Sequence, residues 1–209
     1  MEKFLNLPDK KRKAIIDAAF AVFGRNGYKK ASAADIAAEA GISKAMIFHY
    51  FGSKKAMYLY LAEFCGTTLV SGVDGKPGKG DADFFDRLKL ITEIEISIMK
   101  KHPAMLSFLW SMYRETDPEV AHDVKGLISG GGGYRERIAF DGADVSMFKD
   151  GVNPELVLKF MSWASEGHSL SVSQTGSDPE MALDGMMRDF NDFLDVLKKH
   201  LCKQPFQKL

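Results

Sequence analysis

Residues 27–57 read GYKKASAADIAAEAGISKAMIFHYFGSKKAM, and their spacing decides the fold. Ser32 followed by Asp35 can close a capping box at a helix start, and that helix runs through Ile36, Ala37 and Ala40 to Gly41. Ser43 can cap a short helix carrying Met46, Ile47, Phe48, His49 and Tyr50, and Ser53 a longer one reaching about Thr67 or Ser71. Two helices that cross at close range need a small residue at the crossing, which Ala37 supplies. The tight turn between them favours a residue that tolerates positive φ, and Gly41 stands four positions later. Ile36, Ile42 and Ile47 are spaced to pin the second helix to a core. The stretch therefore predicts a helix-turn-helix.

Upstream, Ile15, Ala18, Ala19, Val22 and Phe23 share one helical face within residues 10–23, led by Lys10, Lys11, Arg12 and Lys13, with Gly27 as the stop. Downstream, the glycine-rich GVDGKPGKG of residues 72–80 predicts a loop. Residues 82–101 and 103–115 are helical and apolar on most sides, which predicts burial. Asp117-Pro118-Glu119, Asn153-Pro154-Glu155 and Asp178-Pro179-Glu180 each place a capping side chain, a proline at the first helical position and an acid in the first turn. The last helix, about 179–201, carries Leu183, Met187, Phe190, Leu194, Leu197 and Leu201 on one stripe. No stretch alternates as a strand does. The expected class is all-α: a three-helix helix-turn-helix domain followed by a larger helical domain.

Charge is divided along the chain. Residues 1–55 hold 11 Lys/Arg against 5 Asp/Glu, leaving 17 against 23 for the remainder of the 28 and 28. Neutralising phosphates depends on local charge, because the field decays within roughly 10 Å at moderate salt.

The string Gly27-Tyr28, Asp35-Ile36-Ala37, Ala40-Gly41-Ile42-Ser43, Tyr50-Phe51 and Ser53-Lys54, with the upstream helix of Ala18, Phe20 and Phe23, resembles the DNA-binding segment of the TetR family of bacterial regulators. The resemblance covers about residues 8–60, a quarter of the chain. It implies a DNA-binding domain over 1–55 and an effector-binding and dimerisation domain over 56–209. It implies that the third helix enters the major groove of a double-stranded DNA operator and presents Lys44, Ala45, Met46 and His49 to base edges. Lys44 can donate to guanine, and Met46 and Ala45 can touch a thymine methyl. By the same resemblance Tyr50 and Lys54 hold phosphates, with hydroxyl contacts from Ser32 and Ser43. Two positions depart from many relatives: Ala45 stands for a glycine, and Phe48 for a phosphate-binding tyrosine.

The resemblance also implies a homodimer through the last two long helices, 154–171 and 179–201, where Gly167 would allow close contact. A palindromic operator follows, since one short helix reads few bases. Phe64, Met105, Phe108, Met112, Tyr113 and Trp163 are candidates to line a pocket for a small lipophilic effector of unknown identity, although such residues at helical spacing serve equally as plain core. The function expected is a ligand-responsive repressor. The alternative is a constitutive or architectural DNA-binding protein without an effector, and the regulatory sign depends on operator position.

Other chemistries find little support. The five histidines never fall at i, i+3 or i, i+4 spacing, so no local metal site is expected and no cofactor is assigned. Ser129 and the glycines at 130–133 lack the strand and the Gly-Lys-Ser/Thr of a phosphate cradle and read as a flexible connection. No acid, base and nucleophile set converges, so the protein is not expected to be an enzyme. No apolar run approaches the roughly 20 residues of a membrane span, no signal peptide is read, and isolated Cys65 and Cys202 suit the cytoplasm.

Overall fold

The computed structural model describes residues 1–74, 83–131, 133–141, 143–174 and 179–203. The described residues are helical with short connections, and a lone antiparallel bridge between Phe148 and Cys202 is the extent of extended pairing among them. The fold is all-α, as the periodicity predicts. Among the described residues no helix is long and apolar enough to cross a membrane.

The chain packs as two compact units: Met1–Ser71 with Lys101–Gly132, and Gly72–Lys100 with Gly133–Leu209. Residues 101–132 thus pack with the N-terminal helices, and position 55/56, where the sequence suggests a division, lies near the start of a helix.

In the first unit, α1 (Glu2–Leu5) precedes α2 (Asp9–Lys30), α3 (Ala33–Glu39), α4 (Lys44–Phe51) and α5 (Lys54–Val73). The four-residue α1 has too few positions to show a periodicity, and so escapes a reading of the sequence. Phe4 fixes it, fully buried against the rings of Phe51, Tyr60 and Tyr50. α2 breaks where expected: Gly27 has φ +68. Its buried face of Ile15, Ala19, Phe20 and Phe23 meets α7 (Met105–Tyr113), with Phe108 against Phe20 and Phe23 at ring distances of 5.1 and 6.3 Å. The helix expected to open at Pro118 begins later, as α8 (Ala121–Gly131). Asp117 instead builds a turn, its side chain accepting from Glu119 N and its carbonyl from Val120 N and Ala121 N. Ser129, Gly130 and Gly131, expected in a flexible connection, are the last turn of α8.

The second unit contains α6 (Phe84–Lys101, up to Lys100), α9 (Tyr134–Phe140), α10 (Pro154–Gln174) and α11 (Pro179–Leu201). Most of the 72–80 loop predicted from the sequence lies outside the described residues, whereas Gly72 and Val73 continue α5. Asn153 caps α10 as its sequence predicts, accepting from the backbone N–H groups of Glu155 and Leu156. The core joins Phe84, Phe85, Leu88 and Ile91 of α6 to Ile138, Phe148, Leu158 and Met161, and the α11 stripe of Phe190, Leu194, Leu197 and Leu201 packs on it.

α9 was not foreseen, being short and opening at Gly133 in the left-handed region, φ +85. Charged residues hold it at both ends. Glu95, buried on α6, accepts from Arg135 Nε at 2.9 Å and from Tyr134 Oη. Arg87, also buried on α6, donates to the carbonyls of Ile138 and Asp141. These two ionic residues inside an apolar pattern satisfy polar groups that burial would otherwise penalise. Gly167 is exposed on α10, and a Cβ there would meet nothing within 4 Å.

Candidate nucleic-acid interface

The helix-turn-helix is built by its caps. Ser32 Oγ accepts from Asp35 N at 3.1 Å, the N-cap bond expected of it, and donates to Asp35 Oδ2 at 2.7 Å, so the Asp35 carboxylate meets the cap's hydroxyl. At the other end of α3, Gly41 N–H donates to the Ala38 carbonyl and Ile42 N–H to the Ala37 carbonyl. That pairing requires a left-handed residue, and Gly41 has φ +66. Ser43 Oγ then accepts from Met46 N at 3.3 Å and opens α4, which Gly52 closes at φ +77. Buried Ile36, Ala37 and Ile47 lie between the two helices, in the roles their spacing predicts; Ile42 is half-buried.

α4 has two unlike faces. Ile47, Tyr50 and Phe51 are buried, whereas Ser43, Lys44, Ala45, Phe48 and His49 are exposed and Met46 is half-buried. Lys44, Ala45, Phe48 and His49 follow an i, i+1, i+4, i+5 spacing and so share one open face. Phe48 is 41% exposed, with the Lys44 ammonium 6.0 Å from its ring centre. A ring without a hydroxyl thus stands among the residues expected to touch DNA, at the position where many relatives hold a phosphate-binding tyrosine.

Two residues expected at phosphates are engaged within the chain. Tyr50 is only 4% exposed and its ring packs against Phe4. Lys54 donates to the carbonyls of Tyr28 and Ala31 at 2.9 and 3.3 Å.

The effector-pocket candidates scatter. Phe108 and Met105 are fully buried, Met112 nearly so, and half-buried Phe64 stacks its ring edge against His102 at 5.5 Å. Tyr113 and Trp163, 58% and 51% exposed, face solvent, and Trp163 belongs to the second unit. In the first unit Phe64 borders an open depression of about 450 Å³ with Leu59, Tyr60 and Glu63. Burial pushes the Cys65 thiol up, away from its reactive thiolate.

Residues 15–61 match the family model described as bacterial regulatory proteins, tetR family. That segment is a TetR-type DNA-binding segment. Outside that segment, the likeness to a TetR-family transcriptional regulator from Chloroflexus aurantiacus J-10-FL extends over 98% of this chain and 99% of that one, with a TM-score of 0.70 at 20% identity, and so shows a common fold. In sequence, the chain is 47% identical over 49 residues to the HTH-type transcriptional regulator BetI of Agrobacterium fabrum, covering 23% of this chain and 24% of that protein. It is 30% identical over 117 residues to the HTH-type transcriptional activator FasR of Mycolicibacterium smegmatis, covering 56% and 53%. The chain thus spans about half or less of the curated relatives it matches. That division follows from physics: the TetR-type helix-turn-helix tolerates few residues at its crossing and caps, whereas a helical core accepts many apolar combinations.

Proposed function

We propose that the chain is a cytoplasmic, ligand-responsive repressor, not an enzyme, that binds a palindromic DNA operator as a homodimer. The observation that carries this is the open face of α4, with Lys44, Ala45 and His49 exposed on a helix whose other side is locked into the core. In this reading residues 1–55 grip the duplex. Lys44, Ala45, Met46 and His49 face base edges, and Ser32, Ser43 and Tyr50 contribute backbone contacts through hydroxyls. The excess of six positive charges over these residues, 11 against 5, supplies phosphate neutralisation.

Residues 56–209 would bind effector and dimerise. Leu156, Phe160 and Trp163 repeat at i, i+4, i+7 on α10 and are about half exposed, so they form an apolar stripe suited to a second copy. Dimerisation would set two α4 helices about one DNA turn, roughly 34 Å, apart. A small lipophilic effector binding the form with mis-spaced helices would release the operator, by no more than its differential affinity. The full burial of Met105 and Phe108 favours a second reading, a constitutive binder with a closed core.

Selection of preferred sequences from random duplex DNA at a stated salt concentration tests the proposal. A palindrome with half-sites about one turn apart, or a multiple, is expected. Recovery of nothing above salt-sensitive background would overturn it. Release of the selected operator by lipophilic compounds, or its absence, then separates the repressor from the constitutive binder.

A further inference from the structure

The segment Gly27–Ala31 hands α2 over to α3, and two charged side chains grip it. On one side Glu115, two residues past the end of α7 and 87 residues away, accepts the Tyr28 backbone N–H at 3.0 Å on Oε2. Its other oxygen accepts from Thr116 N and Asp117 N at 3.0 and 2.9 Å, so the carboxylate is itself fixed. On the other side Lys54 Nζ, at the start of α5, donates to the carbonyls of Tyr28, Ala31 and Lys29 at 2.9, 3.3 and 3.5 Å. The same ammonium lies 4.3 Å from the centre of the Tyr28 ring, which is itself buried against Phe23 and Tyr58.

An ammonium has three N–H donors. Three carbonyl oxygens use them, and those oxygens belong to the end of a helix, where the backbone carries partial negative charge and lacks intrahelical donors. A Lys54 that swung out to a phosphate would strand them. The residue after Ala31 is Ser32, the cap of α3, so whatever fixes residues 28–31 fixes where the helix-turn-helix begins.

We infer that Lys54 is a positioning residue that, opposite Glu115, clamps residues 28–31 and so sets the placement of α3 and α4, rather than a phosphate contact. The inference rests on the DNA-binding reading above only for its effect on operator affinity. The clamp itself exists in the free protein.

Two readouts test it on the full chain. Lys54→Met keeps the stem and removes the donors; Lys54→Gln, a milder change, serves the same purpose if the first does not fold, as judged by helical content and melting. In the DNA-free protein, amide exchange over residues 28–33 is expected to quicken about tenfold or more in the Lys54 variant and in Glu115→Ala. Unchanged exchange in the Lys54 variant would overturn the clamp, whether or not the protein binds any operator. On the operator selected above, affinity should fall about tenfold at every salt concentration while the salt slope stays within a few tenths of wild type. A slope reduced by about 0.9 would mark a lost phosphate and overturn the inference. Wild-type protein that selects no operator would defeat the DNA-binding reading alone and leave the exchange result to decide the clamp.

Discussion

Gly24 of α2 lies so close to α7 that a methyl group on it would stand 3.0 Å from the backbone nitrogen of Phe108 and would also strike the Ser107 hydroxyl. Backbone cannot yield as a flexible side chain can, so the crossing of α2 and α7 depends on that missing Cβ. Gly24→Ala should destabilise the protein by about 1–3 kcal/mol, although alanine is the better helix former. Urea denaturation checks this; a stability equal to or above wild type would show that the helices can part without loss.

Phe4 is the anchor of α1, its ring 4.6 Å from that of Phe51 and 5.4 Å from that of Tyr60. Phe4→Ala removes a fully buried ring and should destabilise by about 3–5 kcal/mol. Because Phe51 closes α4, operator affinity should fall as well. Stability within about 1 kcal/mol of wild type would mean that the site collapses easily or that α1 is dispensable.

Ser43 caps α4 and sits on its exposed edge. Ser43→Ala should lower stability by about 1 kcal/mol, and Ser43→Asp should restore it, because aspartate caps as well as serine. The two should separate on DNA, where the added negative charge of Ser43→Asp weakens binding below even Ser43→Ala. Equal binding by both variants would place this edge away from the duplex.

Asp17 carries a pH dependence. Burial raises its pKa, but hydrogen bonds from His102, at 2.5 Å, and from Lys13 outweigh burial and hold it below the ordinary carboxylate value. A depressed native pKa stabilises the fold fully above the unfolded value of about 3.9, and that stabilisation is lost as pH falls towards the native value. The stability difference between wild type and Asp17→Asn should therefore hold at pH 5 and shrink below about pH 4. Denaturation at a series of acid pH values checks it, and a difference constant down to about pH 2.5 would contradict the lowered pKa.

Phe160 and Trp163 meet edge to face on the open side of α10, with centroids 5.4 Å apart. Phe160→Asp and Trp163→Glu should yield monomers with wild-type helical content, since both rings are about half exposed within one chain. Sedimentation equilibrium distinguishes the outcomes; variants with the same mass as wild type would remove this stripe from the dimer interface.

What could be read from the sequence is what short-range chemistry controls. Ser32 caps α3 through Asp35 N three residues on, Gly41 turns where a left-handed residue is needed, and Ser43 opens α4, all through contacts within a few positions. The α11 stripe was legible for a similar reason, because one amphipathic helix writes its buried face at a fixed period. What only the tertiary structure decided depends on residues far apart in the chain. Glu115 meets Tyr28 across 87 positions, Glu95 meets Arg135 across 40, and residues 101–132 join the N-terminal unit. No local pattern announces such partners, since a charged residue on a helix reads the same whether water or a distant backbone group receives it. Lys54 is the sharpest case: its place in the motif pointed to DNA, and the carbonyls that hold it became visible only once α2 and α5 were brought together.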